Sequence, residues 1–257
     1  MNSTTLKFGI ALALLGSAAG AAIALGDTQT TTGAAKDAMI FGTSAGSDTG
    51  NASGKGPAMF AGADGQSNRK RSLITFDLSS ASIPSNATIT SVTMSLVIAQ
   101  IAGSGGGGSG GSYPNRTLRV YHVNQDWGEG SSGSPTSMSV GGSGQGYTRV
   151  TGDSSWSYAF YSGTSWTSGG DFNSTELAAV TFSEPFTLGQ VLSWSTASMA
   201  TEVQNWISTP SGYHGWLIKS DLETSATSFL GFWTKDGAAA NSNSALAPVL
   251  TIHYTTP

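Results

Sequence analysis

The stretch that decides the fold is residues 88–99, TITSVTMSLVIA, in which apolar and hydroxyl-bearing side chains alternate along the chain. Val92, Met94 and Leu96 fall on one face of an extended backbone, and Thr93 falls on the other. Because successive side chains of a β-strand point to opposite faces of its sheet, this alternation predicts a strand that buries only one face. The chain is therefore expected to build its core from β-sheets.

Further strands are predicted where short apolar runs stand between clusters of Gly, Ser, Asn and Asp. They are RTLRVYHV, HGWLIKS, SFLGFW and the closing PVLTIHY. In the last of these, Leu250 and Ile252 are expected to face the core and His253 to face outward. Turns and loops rich in Gly and Ser separate the runs, which is typical of an all-β protein.

One segment, STASMATEVQNWISTP, has helical periodicity instead. Met199, Val203 and Trp206 recur at the spacing of one helix face, a proline ends the pattern, and Ser195 or Thr196 can cap its start. We therefore predict one short helix whose apolar stripe lies across one end of the β-structure.

The charge and cysteine content exclude several classes of function. Charged residues make up 10% of the 257 residues, and 11 basic against 15 acidic residues give a formal net charge of -4. Nucleic acid is not an expected partner, because no broad cationic surface exists to neutralise phosphates. The cluster Arg69-Lys70-Arg71 is interpreted as a solvated strand entrance. The absence of cysteine excludes disulfides and thiolate chemistry.

The first 26 residues have the composition of a secretory signal peptide. One lysine precedes an apolar stretch, and small residues at 19–21 and 22–24 offer cleavage sites. The alternative is a hydrophobic segment that is retained as an anchor or used in assembly. Export predicts a secreted or cell-surface protein with no membrane contact after cleavage. Residues 27–257 are predicted to form one domain, since the Gly- and Ser-rich segments 103–112 and 128–146 are interpreted as loops.

Residues 71–96 carry a family resemblance. They contain the pattern Arg-x-Leu-x-x-Phe-Asp-Leu, followed by Ile-Pro-x-x-Ala-x-Ile and a long strand. This order resembles the DNRLRE-type β-sandwich family, and further similarity in LRVYHVNQDW, GWLIKS and PVLTIHY extends it over most of residues 37–254. The resemblance implies an extracellular, non-catalytic sandwich, which in some members is a carbohydrate-binding module. The predicted fold class is a single antiparallel, jelly-roll-like β-sandwich with one short helix and long Gly/Ser-rich loops.

An aromatic insertion, GDSSWSYAFYSGTSWTSGGDF, occupies residues 152–172. Its pattern is similar to one found in a secreted and cell-surface subset of the same family. A cluster of rings in a Gly- and Ser-rich segment either covers a core or waits for a ligand, because exposed rings cost free energy in water. The glycan-binding candidates are Trp156, Tyr158, Tyr161 and Trp166, and the alternative is that the insertion packs as a lid. Tyr161 is expected to be the more exposed ring.

The family resemblance also implies core positions for three of the remaining tryptophans. Trp127, Trp206 and Trp216 are expected in the core, and Trp194 and Trp233 are expected to be half-buried.

Catalytic chemistry finds little support in the sequence. The three histidines stand in strand-like segments without a Gly-x-Ser-x-Gly elbow, so no nucleophile and base are paired. Asp126 and Glu129 form a close acidic pair at a turn, as do Asp221 and Glu223, where capping is the expected role. Asp126 and Glu129 are also the candidates for a loop calcium site. The prediction is a protein that is not an enzyme and has no cofactor other than this candidate ion.

Two functions of different classes remain. The first is a structural subunit of an extracellular filament, sheath or surface matrix, whose partner is another copy of itself. The second is a module that recognises an extracellular polysaccharide. Low charge and abundant Gly, Ser and Thr favour close packing between copies, because few ions must be desolvated. Residues 27–41 are expected either to donate a strand to a neighbour or to form the chain's own first strand, with Met39 and Phe41 in the core.

Overall fold

The computed structural model describes residues 27–102, 114–136 and 145–257, so the predicted signal peptide and the glycine-rich loop at 103–112 lie outside the described residues. The described strands are β1 Thr28–Gly42, β2 Asp48–Ser53, β3 Ala58–Ala63, β4 Arg69–Phe76, β5 Thr88–Ile101, β6 Asn115–Val123, β7 Tyr147–Thr148, β8 Phe172–Ser183, β9 Val191–Trp194, β10 Trp216–Ser220, β11 Leu230–Trp233 and β12 Val249–Thr255. The α-helices are α1 Ala197–Ser208 and α2 Lys235–Ala240. Neither is long and apolar enough to cross a membrane.

The strands pair antiparallel, so the predicted all-β class is confirmed. The pairings β1–β12–β5–β11–β3–β4 return to β1 and close a ring of six strands. β2 and β7 extend the sheet beyond β1, β10, β6 and β8 extend it beyond β4, and β9 pairs with β5. An open sandwich was expected. The ring closes because β1 pairs with β12 over its first half and with β4 over its second.

β1 is the chain's own first strand. It pairs with β12 from Thr28 to Gly33 and with β4 from Ala34 to Gly42. Met39 and Phe41 are buried, with 0% and 2% of their surface exposed. The second of the two interpretations of this segment is therefore confirmed, and the segment is not free to extend a neighbour's sheet.

β5 and α1 form as the sequence predicts. Every second side chain from Val92 to Ile98 is fully buried in the main core. In α1, the hydroxyl of Thr196 caps the start by accepting a hydrogen bond from the backbone N–H of Met199 at 3.1 Å. The helix buries Met199, Val203 and Trp206, as its periodicity requires. α2, which has only six residues, was not predicted.

The buried residues form two clusters on opposite faces of the same strands. On β1, Met39 and Phe41 face the main core, whereas Ala38 and Ile40 face the second cluster. Strands buried on both faces have continuous apolar runs and lose the alternation of one-sided strands.

The tryptophans follow the prediction with one exception. Trp127, Trp206 and Trp216 are buried, and Trp233 is half-buried. The prediction for Trp194 was wrong, because its ring is fully buried between the rings of Phe182 and Phe232.

Candidate functional site

The aromatic insertion covers the outer face of the sheet, opposite the main core. Together with residues of β1, β4, β6 and β10 it forms the second apolar cluster. Its buried members are Ala38, Ile40, Leu73, Tyr121, Val123, Trp127, Trp156, Ala159, Trp166 and Leu217. The insertion therefore shields from water the apolar side chains on this side of the sheet, and their burial favours folding.

Both tryptophans of the insertion are inside this cluster. Trp156 is 1% exposed and Trp166 is 9% exposed. The indole N–H of Trp156 donates to the carbonyl of Gly46 at 2.7 Å, and that of Trp166 donates to the carbonyl of Ser155 at 2.9 Å. Gly42 lets the first ring approach, since a Cβ there would lie 2.6 Å from a Trp156 ring atom. Of the two interpretations, the lid suits these rings, because neither leaves a free face for a sugar.

A buried carboxylate ties the insertion to the loop after β6. Asp153 is fully buried. Its Oδ1 accepts hydrogen bonds from the backbone N–H groups of Ser131 and Ser132 at 2.8 and 3.2 Å, and its Oδ2 accepts one from Val150 at 2.6 Å. These backbone donors pair the oxygens of a carboxylate that is removed from water. Asp153 therefore acts as a clamp between two loops.

Arg71 joins the insertion to β4. Its guanidinium donates to both carboxylate oxygens of Glu223 at 2.9 and 2.7 Å and to the carbonyl of Gly169 at 2.7 Å. The same group lies 4.7 Å from the ring centroid of Trp156. Two-pronged pairing and a cation–π contact together hold the aromatic rings against the strand.

The interpretation of the basic cluster as a solvated strand entrance is wrong. Lys70 and Arg71 are 1% and 6% exposed. The ammonium of Lys70 lies 2.9 Å from the Asp64 carboxylate, and burial lowers the pKa of Lys70 although this carboxylate opposes the shift. A buried ion pair of this kind is strongly destabilised when one partner is removed. The cluster is thus part of the protein's framework, because Lys70 pairs with the nearby Asp64 and Arg71 pairs with Glu223, which is distant in sequence.

The two tyrosines of the insertion lie at its surface. Tyr158 and Tyr161 are both half-buried, and their ring centroids are 5.4 Å apart in an edge-to-face arrangement. The guanidinium of Arg149 lies 5.0 Å from the first centroid and 4.3 Å from the second. Arg149 also forms an ion pair with Asp48. This patch combines partly exposed ring surface with charged hydrogen-bonding groups. The sequence did not indicate Arg149 or Asp48, which come from two other segments.

The predicted calcium candidates do not lie together as one site. Asp126 accepts a hydrogen bond from the ammonium of Lys36 at 2.7 Å at the surface. Glu129 instead contacts the ammonium of Lys235 at 2.8 Å. Although Glu129 is only three residues after Asp126, its carboxylate therefore lies in a different cluster of charged side chains.

That cluster contains two carboxylates which the sequence analysis missed. One carboxylate oxygen from each of Asp37, Glu129 and Asp236 lies within 4.8 Å of the other two. Asp37 is fully buried, and its Oδ2 accepts a hydrogen bond from the backbone N–H of Lys235 at 2.7 Å. Burial raises the pKa of Asp37 to about 7. Three elements, β1, the loop after β6 and α2, supply the three carboxylates.

A separate apolar groove of about 470 Å³ runs between α1 and the end of β4. Phe76, Ile83, Trp206 and Tyr213 are among its lining residues, and Lys36 stands at one side. The hydroxyl of Tyr213 is hydrogen-bonded to the backbone of Phe76, and burial raises the pKa of this tyrosine. The groove therefore offers mainly apolar contact, with Lys36 and Asp77 among the residues that line it.

Two of the three histidines contact carboxylates. His122 is bonded to Glu202, and His253 lies 2.9 Å from a carboxylate oxygen of Asp27. Burial lowers the pKa of His214. The absence of enzymatic activity stays a prediction.

β8 forms an edge of the sheet. It is 12 residues long and, in the described part of the chain, pairs with β6 alone. Its one charged residue, Glu176, forms an ion pair with Arg119 of β6. The hydroxyl of Thr196 donates to the carbonyl of Leu177, a β8 residue that has no partner in the register with β6, at 2.7 Å.

Comparison of the sequence with models of known protein families gave no match, and neither did comparison with curated proteins. The resemblance to the DNRLRE-type family therefore stays a prediction, and the function must be argued from the residues themselves.

Proposed function

We propose that this chain is a secreted, non-catalytic structural subunit that associates with copies of itself in an extracellular filament, sheath or surface matrix. In this proposal the β-framework is a jelly-roll-like sandwich whose sheet faces are covered by other parts of the chain. Copies therefore associate through the edge of the sheet and not through the ends of the sandwich. The observation that carries the proposal is the long edge strand β8.

An exposed edge strand is a template for pairing with another chain, because its backbone N–H and C=O groups lack partners on one side. Monomeric proteins discourage such pairing with lysines, prolines, bulges or very short edges. β8 has 12 residues and no lysine or proline, and Glu176 is neutralised by Arg119. Its two irregularities against β6 lie between Phe172 and Ala178, so the register from Ala178 to Ser183 is regular. A neighbouring strand could therefore dock from Ala179 to Ser183 at a small desolvation cost.

The surface beside this edge is suited to close contact between copies. It carries paired hydroxyl groups beside the ion pair of Arg119 and Glu176. The hydroxyls of Thr117 and Thr181 are 2.8 Å apart across β6 and β8, and those of Ser95 and Ser193 are 2.9 Å apart across β5 and β9. Side chains that already satisfy one another lose few hydrogen bonds to water when a second surface covers them.

The proposal is tested by placing a lysine on the edge. We expect the full chain to assemble with increasing concentration in analytical ultracentrifugation. Thr181→Lys should weaken this association about tenfold or more, which corresponds to roughly 1.4 kcal/mol, because a repeated charge must be buried at each contact.

Thr117→Lys is the matched control. It removes the same hydroxyl pair and adds the same charge on the same face, but on β6, which lies inside the sheet. An equal loss of association in both variants would show that the face and not the edge makes the contact.

The second candidate function is polysaccharide binding, and the patch around Tyr158, Tyr161 and Arg149 is the observation that favours it. If the full chain stays monomeric at high concentration and forms no filaments in electron microscopy, the structural proposal fails. Retention of the wild type on an insoluble polysaccharide, lost in Tyr161→Ala, would then support the module.

A further inference from the structure

We propose that Asp37, Glu129 and Asp236 form a calcium-binding site. The site differs from the one expected from the sequence, since it includes Glu129 but not Asp126. It is independent of the assembly proposed above.

The geometry of the three carboxylates fits a calcium ion. One oxygen of each lies within 4.8 Å of the others. Calcium binds oxygen at about 2.3–2.6 Å, so two ligands on opposite sides of the ion lie roughly 4.6–5.2 Å apart. The three oxygens can therefore share one ion with little movement of the backbone. All the donors are oxygens, which favours a hard cation over zinc or copper.

A second observation points to a missing partner. Oδ1 of Asp37 is buried and has no hydrogen-bond partner among the described residues. The whole residue has 0% exposure. Buried polar atoms in folded proteins are nearly always paired, and an unpaired carboxylate oxygen is especially unfavourable. A cation held between this oxygen and the two neighbouring carboxylates would satisfy it. The competing explanation is a proton retained on Asp37.

Two lysines now balance part of the negative charge. The ammonium of Lys235 lies 2.8 Å from Glu129 and 2.9 Å from Asp236, and the ammonium of Lys55 lies 3.7 and 3.5 Å from the same two residues. Their side chains are 23% and 38% exposed, so both can turn toward solvent on flexible stems. Because calcium must displace an ammonium, we expect the modest affinity of extracellular calcium modules, with Kd of about 0.1–1 mM.

A bound ion would connect three parts of the chain that are distant in sequence. Asp37 lies on β1, Asp236 lies in the first turn of α2, and Glu129 lies in the loop that Asp153 clamps through Ser131 and Ser132. Calcium is thus expected to stabilise α2 and this loop against β1.

The experiment uses the full chain after treatment with a chelator, with calcium chloride as the probe. Isothermal titration calorimetry should show binding, and thermal melting should show a rise in Tm of several degrees at millimolar calcium, because a ligand that binds only the folded state stabilises it. Magnesium chloride at the same concentration should have a smaller effect, because magnesium requires a tighter octahedron and releases its water reluctantly.

Three variants make the test specific. Asp37→Asn should abolish the calcium response, whereas Lys235→Met should tighten binding about tenfold by removing the competing ammonium. Asp126→Asn is the control, because the Asp126 carboxylate is paired with Lys36 and is not part of the proposed site. The calcium response of this variant should equal that of the wild type. If Asp37→Asn does not fold, Glu129→Gln takes its place.

The proposal is overturned if neither the wild type nor Lys235→Met binds calcium, which would leave the protonated carboxyl as the explanation. A calcium response that persists undiminished in Asp37→Asn or Glu129→Gln would also overturn it. An equal response to magnesium would overturn the assignment to calcium.

Discussion

Trp156 acquires its role from residues that are far away in the sequence. Serines surround it in the chain, yet its ring lies against Gly42 of β1 and beneath the guanidinium of Arg71 of β4. Its indole N–H donates a hydrogen bond to the carbonyl of Gly46. A large ring that is buried and hydrogen-bonded contributes to stability through both its apolar area and its polar atom.

Replacement of this ring measures that contribution. We expect Trp156→Ala to lower the free energy of unfolding by about 3–5 kcal/mol, since a buried aromatic leaves a cavity when it is truncated. Urea unfolding followed by circular dichroism gives the value. Tyr161→Ala is the comparison, because this ring is half-exposed and its loss should cost less. Equal losses in the two variants would contradict the lid interpretation.

At the scale of elements, one side chain, that of Thr196, forms hydrogen bonds with both α1 and the edge strand β8. The hydroxyl of Thr196 accepts from the N–H of Met199 and donates to the carbonyl of Leu177. The first bond satisfies a helix N–H group that has no intrahelical partner. The second satisfies the carbonyl of a β8 residue that has no partner in the register with β6. The cap therefore also fixes where the helix lies.

We expect Thr196→Ala to destabilise the protein by roughly 1–2 kcal/mol, because it removes a cap worth about 1 kcal/mol and one further hydrogen bond. Thr196→Ser keeps the hydroxyl and should be close to the wild type. The measurement is the midpoint of urea unfolding at a constant slope. A serine variant as unstable as the alanine variant would show that the methyl group matters and the two hydrogen bonds do not.

At the scale of the whole molecule, the ring of strands makes the ends of the chain interdependent. β1 and β12, which are more than two hundred residues apart, pair from Thr28 to Gly33. β4 also pairs with β1, and β10 and β6 follow on from β4. Removing one strand of a closed ring leaves each of its two neighbours with an unpaired edge, so partial unfolding is unfavourable.

We therefore expect residues 27–257 to unfold in one cooperative transition. Urea curves from tryptophan fluorescence and from circular dichroism should coincide, which is the usual test of two-state behaviour. The control is Trp156→Ala, which weakens the second apolar cluster and leaves the ring of six strands intact. Its fluorescence and circular dichroism curves should shift together to lower urea. Separate transitions would contradict the prediction of a single domain.

The elements that could be predicted from the sequence are those with one face in the core and the other face in solvent. β5 alternates in sequence because one side meets the core, and α1 repeats every three or four residues for the same reason. β4 could not be understood in this way. Its run RKRSLITF is buried on both sides, so local patterning does not reveal that Lys70 and Arg71 are inside.

The sequence by itself determined the all-β class and the helix with a hydroxyl cap at Ser195 or Thr196, because periodicity and turn residues act over a few positions. Only the tertiary structure decided the closed ring, the partners of the basic cluster and the meeting of Asp37, Glu129 and Asp236. Except for the ion pair of Lys70 with Asp64, these features depend on contacts between residues separated by tens to hundreds of positions. Local sequence preferences carry no information about which distant groups meet, since that outcome is set by the packing of the whole chain.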